Sequence, residues 1–180
     1  VMDCPNMFNG VFVLTPTFRS MHHAEVPFER VSMPMVRVVQ QFLRTKGRGL
    51  YNILAKPSVV RKILTEPYAV SSAVDDQLVD ALLTPLLVPG AREVVLDALS
   101  YSAGPLPEQQ LSTFPSDVPV WIAYGTADPW TPGARVESMA DRFANVERVI
   151  PLDGVGHCPH DEAPEVVNPL LLEFIDKVGS

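Results

Sequence analysis

Cysteine is nearly absent from this sequence: Cys4 and Cys158 are the two in 180 residues, too few for a disulfide scaffold, so a reducing compartment is the plainer setting. An excess of positive charge is absent too. Fourteen Lys and Arg against 21 Asp and Glu leave a net charge of −7, which argues against a nucleic-acid phosphate backbone or another acidic partner. No apolar run reaches the roughly 18 residues that a membrane-spanning helix needs, although peripheral contact with a membrane surface is left open. Internal repeats, charge blocks and low-complexity tracts are also missing. What is there, 47% hydrophobic and 19% charged residues, is ordinary globular material with length enough for a substantial core.

Chemistry concentrates near the C-terminus. In Gly154-Val155-Gly156-His157-Cys158-Pro159 two glycines let the backbone turn ahead of a histidine and a proline stiffens the exit, so His157 can be aimed inward from the end of an element. A neutral imidazole serves loop hydrogen bonds as readily as catalysis, and a partner is needed to decide. That partner is Asp128. It follows Val118-Pro119-Val120-Trp121-Ile122-Ala123-Tyr124-Gly125, a β-branched and aromatic run that reads as a buried strand ending at Gly125. A second apolar run, Val146 to Leu152, precedes the histidine loop as a neighbouring strand would. Both side chains then emerge at the carboxyl edge of one sheet, where catalytic groups of open α/β sheets gather. There an aspartate can fix the imidazole tautomer and stabilise its protonated form. Asp128 could instead cap the following helix, but Thr131 with Pro132 as first helical residue is better placed for that.

The order strand, Gly-x-x-Asp, helix, strand, Gly-x-Gly-His, helix resembles the C-terminal part of the α/β-hydrolase family, in which the acid also precedes the histidine. Within it, His157-Cys158-Pro159-His160-Asp161-Glu162, Pro164 to Asn168, Asp128-Pro129-Trp130 and Gly104 to Glu108 are similar to the plastid branch of pheophytinase-like hydrolases, which includes an esterase that removes phytol from pheophytin alongside relatives of unknown substrate. The resemblance implies an α/β fold, a mostly parallel sheet flanked by helices with an inserted helical cap. It implies His157 and Asp128 as catalytic residues, no cofactor, no metal, and a hydrophobic small-molecule ester as substrate in a chloroplast. No serine and neither cysteine stands in a Gly-x-Ser-x-Gly setting; Ser102, with Gly104 behind it but Ser100 in front, reads as helix surface. The nucleophile is therefore expected upstream of Val1, and with it any targeting segment.

In that frame residues 1–18 are a core strand, Phe8 to Pro16, following the nucleophile region. Residues 19–114 are a helical cap, with helices expected around Met35–Leu43, Pro57–Leu64, Asp75–Leu83 and Pro89–Leu99. A cap of this kind roofs the pocket and excludes water; Met33, Met35, Phe42 and Tyr51 could serve its core or the pocket. Residues 115–180 carry the acid and the histidine. The last helix, Ala163 to Val178, shows Val166, Val167, Leu170, Leu171, Phe174, Ile175 and Val178 in an apolar stripe, and Pro169 predicts a kink or a division into two short helices.

Three rivals stand beside the esterase. His157, Cys158, His160, Asp161 and Glu162 are metal-capable residue types, but their spacing fits no zinc pattern. A hydrolase-fold receptor or lipid-binding module could retain Asp128 and His157 without turnover. An aspartate nucleophile acting on epoxides or haloalkanes would use the same acid and histidine.

Overall fold

A computed structural model of the chain describes residues 1, 3–18, 25, 27–99 and 104–179. The first strand, β1 (Val11–Leu14), is followed by five helices: α1 (Glu29–Lys46), α2 (Arg48–Leu54), α3 (Pro57–Leu64), α4 (Asp76–Leu83) and α5 (Ala91–Leu99). Then come α6 (Pro107–Leu111), β2 (Val120–Gly125), α7 (Gly133–Arg142), β3 (Val146–Leu152), α8 (Pro159–Glu162) and α9 (Pro164–Val178). Ser102 lies outside the described residues.

The chain divides into two compact units. One, formed by Val1–Phe18, Glu66–Ala73 and Pro105–Ser180, contains a three-stranded sheet in the order β1-β2-β3 with both pairings parallel. The period-2 alternation of β2 sends its side chains to opposite faces. Val120, Ile122 and Tyr124 pack on Val136 and Met139 of α7, whereas Trp121 and Ala123 meet Val167 and Phe174 of α9. On that second face the Trp121 and Phe174 rings lie 5.3 Å apart. Burying each such large side chain contributes roughly 1.5–3 kcal/mol, and β2, buried along its whole length, is the spine of the unit.

Two local expectations are corrected here: the division of the last helix at Pro169, and Thr131 as the cap of α7. Pro169 sits inside one continuous helix, α9. It falls near the N-terminal end, so it forfeits one backbone bond while α9 stays anchored by Val167, Leu170, Leu171, Phe174 and Val178 on the sheet face. Val166 and Ile175 of the expected stripe are exposed. At α7 the cap position is held by Pro132 and the helix starts at Gly133; Thr131 is buried and does not cap it.

The other unit, Arg19–Thr65 with Val74–Gly104, is helical. Its segmentation follows local signals: Pro57 opens α3, and Asp75 caps α4 by accepting the Leu78 N–H at 2.8 Å. Tyr51, Val60, Val79, Leu83 and Leu96 are buried, whereas Met35 and Phe42 are exposed. Arg61 donates to the Val74 carbonyl at 2.6 Å and pairs with Asp76. Within the 19–114 segment, residues 66–73 and 105–114 group with the sheet.

Candidate active site

Three parallel strands end side by side, and each hands one residue to the same place. Leu14 is level with Ala123, and Gly125 with Leu152. Beyond these ends come Thr15, Asp128 and His157. Parallel strands all point their carboxyl ends to one edge, which is why residues 113 and 29 positions apart in the chain can converge.

The central contact joins His157 Nδ1 to Asp128 Oδ2 at 2.7 Å. The aspartate side chain is fully enclosed and the imidazole about one-fifth exposed. Asp128 Oδ1 accepts the Trp130 N–H at 2.8 Å, so one carboxylate oxygen orders its own loop and the other faces the histidine. Burial alone would raise the Asp128 pKa. The neighbouring Thr131 hydroxyl and the hydrogen bonds from His157 and the Trp130 N–H outweigh it and hold the carboxyl below its usual value. The Trp130 ring meets the imidazole edge-on at 4.9 Å.

His157 is held by its backbone as well. Its N–H donates to the Pro67 carbonyl at 2.7 Å, and its carbonyl accepts from Thr15 Oγ1 at 3.0 Å. Thr15 has φ 46°, an unfavourable left-handed conformation for a β-branched residue, while its N–H bonds the Ala123 carbonyl at 2.8 Å. The two glycines of the loop act for different reasons. Gly154 has φ 69°, which L side chains rarely adopt. A Cβ on Gly156 would stand 2.3 Å from the Pro67 carbonyl oxygen and 2.6 Å from Glu162 Oε1.

The structure therefore brings together the two site residues expected from sequence, Asp128 and His157. His160 is exposed and takes no part. Glu162 and Asp161 are committed elsewhere: the Glu162 carboxylate accepts four backbone N–H groups, and Asp161 Oδ2 accepts the Tyr68 hydroxyl at 2.7 Å. Among the described residues no group of three or more His, Cys, Asp or Glu is arranged to hold a metal ion, and no helix is long and apolar enough to cross a membrane. Burial raises the Cys158 thiol pKa, which disfavours the thiolate a cysteine nucleophile requires. Thr15, Pro67 and Glu162 are the positioning residues that sequence reasoning missed. No local pattern announced Thr15: a residue before proline is expected to be extended, whereas Thr15 is left-handed.

No sequence-family profile matches the chain. The chloroplastic pheophytinase of Arabidopsis thaliana is 34% identical over 65 residues, covering 36% of this chain and 13% of that protein. Among solved structures, an esterase of Thermogutta terrifontis superposes with a TM-score of 0.60 at 18% identity, over 96% of this chain and 57% of the esterase. A 2-hydroxy-6-oxo-6-phenylhexa-2,4-dienoate hydrolase of Rhodococcus sp. strain RHA1 gives 0.56 at 13% identity, over 96% and 57%. An enol-lactonase of Burkholderia xenovorans LB400 gives 0.52 at 19%, over 82% and 50%. The chain thus spans 50–57% of the length of these structures, and over that span its fold is the α/β-hydrolase fold.

Proposed function

We propose that this chain supplies the acid and the base of an esterase-like α/β-hydrolase. The observation that carries the reading is the 2.7 Å contact between His157 Nδ1 and Asp128 Oδ2 at the carboxyl edge of a parallel sheet. With Nδ1 engaged, Nε2 is the ring nitrogen left for chemistry. In the reaction proposed, a serine outside these 180 residues attacks the ester carbonyl and His157 Nε2 takes its proton. Collapse of the tetrahedral intermediate expels the alcohol, which leaves with that proton, and an acyl-enzyme remains. Water then repeats the sequence: His157 accepts one proton from it and returns it to the serine as the acid departs. Asp128 stabilises the imidazolium formed in each half-reaction, and backbone donors, also outside the chain, bind the oxyanion.

The proposed substrate is a hydrophobic carboxylic ester, with the phytyl ester of a chlorophyll derivative as the specific candidate and the plastid as its setting. Both rest on the likeness to pheophytinase over 65 residues and on the His157 to Asn168 motif. The test is turnover by the complete polypeptide of a short-chain aryl ester and of a phytyl ester. Hydrolysis of both supports the full reading, and hydrolysis of the aryl ester alone withdraws the phytyl assignment. Saturable binding of either without turnover points to a receptor. The 180-residue chain by itself is expected to be inactive on both, because it contains no nucleophile elbow.

A further inference from the structure

The segment Glu66–Ala73 supplies no group to the Asp128–His157 contact, yet it is tied to both loops of the site. Glu66 Oε1 accepts the Trp130 indole N–H at 3.1 Å, the Pro67 carbonyl accepts the His157 N–H at 2.7 Å, and the Tyr68 hydroxyl donates to Asp161. The Ala69 and Val70 N–H groups donate to Glu162 Oε2 at 2.8 and 2.9 Å. Glu162 has two further donors, one on either side of the histidine: Gly156 N–H to Oε2 and Cys158 N–H to Oε1, both at 3.1 Å.

We infer that Glu162 is a positioning residue for His157, its buried carboxylate clamping the backbone before and after the histidine to the 66–73 segment. Burying a carboxyl is costly unless its oxygens are satisfied, and here four main-chain donors satisfy them. The arrangement fixes the two peptide groups that flank His157. Thr15 and Pro67 fix the backbone of His157 itself, so side-chain rotation is the freedom left, and Asp128 removes that. Glutamine cannot replace the clamp. One oxygen serves three donors and the other serves one, so whichever way an amide is turned, at least one backbone N–H faces an NH₂ group.

The role rests on the hydrolase reading for its kinetic arm only. In the complete polypeptide Glu162→Gln lowers kcat by roughly 10- to 100-fold, since small misplacements of a catalytic group cost that order. KM stays within about twofold because ground-state binding is untouched. Two readouts need no activity. The far-downfield proton resonance of the His157 Nδ1–H facing Asp128 broadens or vanishes in Glu162→Gln, and the backbone amides of 69, 70, 156 and 158 lose exchange protection together. Val136→Ala, which opens a void against the opposite sheet face, serves as the stability control: it lowers Tm while kcat and the resonance persist. Should Glu162→Gln not fold, the wild-type protein still decides, since those four amides must share one common protection factor. Unchanged kcat and resonance in folded Glu162→Gln, or unrelated protection factors for the segment and the loop in the wild type, would overturn the assignment. Absence of ester turnover in the wild type with the resonance behaving as stated would instead refute the hydrolase reading and leave the positioning role standing.

Discussion

Gly125 lies directly against the backbone of Val155: a Cβ at position 125 would stand 2.1 Å from the Val155 carbonyl oxygen and 2.2 Å from that of Gly156. The glycine of Gly-x-x-Asp is thus required by the histidine loop that crosses it, and the Ala127 N–H bonds the Val155 carbonyl at 3.0 Å. Gly125→Ala is expected to destabilise by about 1–3 kcal/mol, as overpacking against backbone does, and to lower kcat by displacing His157. Gly49→Ala is the contrast. Nothing lies within 4 Å of a Cβ there, and the change in α2 should stabilise by about 0.5 kcal/mol. Thermal melts of the two variants check both signs.

The acid side of the stability profile should carry the mark of Asp128. Its folded pKa is lowered, so its contribution is fully present above the unfolded value of about 3.9 and is lost as pH falls through the folded value. Urea unfolding of the wild type from pH 6 down to pH 2 should therefore weaken more steeply below about pH 4 than that of Asp128→Asn. Parallel slopes for the two proteins would refute the coupling.

Trp130 is expected to steady the imidazole through its edge-on contact. Aromatic pairs of this kind are worth about 0.5–1.5 kcal/mol, so Trp130→Ala should lower kcat by about 2- to 10-fold. Trp130→Phe keeps a ring beside His157 and loses only the bond to Glu66; its kcat should stay nearer the wild type. Steady-state kinetics on an aryl ester separates the two.

The parts of the site that were legible in the sequence are those encoded by short-range pattern. The β-branched run ending at Gly125 and the glycines around Val155 announce a strand end and a hinged loop, and these put Asp128 and His157 at neighbouring strand ends, where their side chains meet. Thr15 and Glu162 were not legible: the partner of Thr15 lies 142 residues away, and two of the four Glu162 donors lie 92 to 93 residues away, so only the folded chain brings them near. Glu162 was counted with metal-capable neighbours because its residue type suggested it; its donors are backbone groups, which a sequence does not display. The continuity of α9 through Pro169 was also hidden. Helix packing on Trp121 and Phe12, with the Phe12 and Phe174 rings 5.6 Å apart, outweighs the one lost backbone bond.

The most direct test of the acid–base assignment is kcat for a short-chain aryl ester in the complete polypeptide carrying His157→Ala, measured beside His160→Ala. His157 holds the contact with Asp128, whereas His160 is exposed. The expected result is a loss of about 10⁴-fold or more for His157→Ala, the order seen when a catalytic triad member is removed, with His160→Ala within about threefold of the wild type. Equal losses in two folded variants, or wild-type turnover in His157→Ala, would contradict the assignment of His157 as the base.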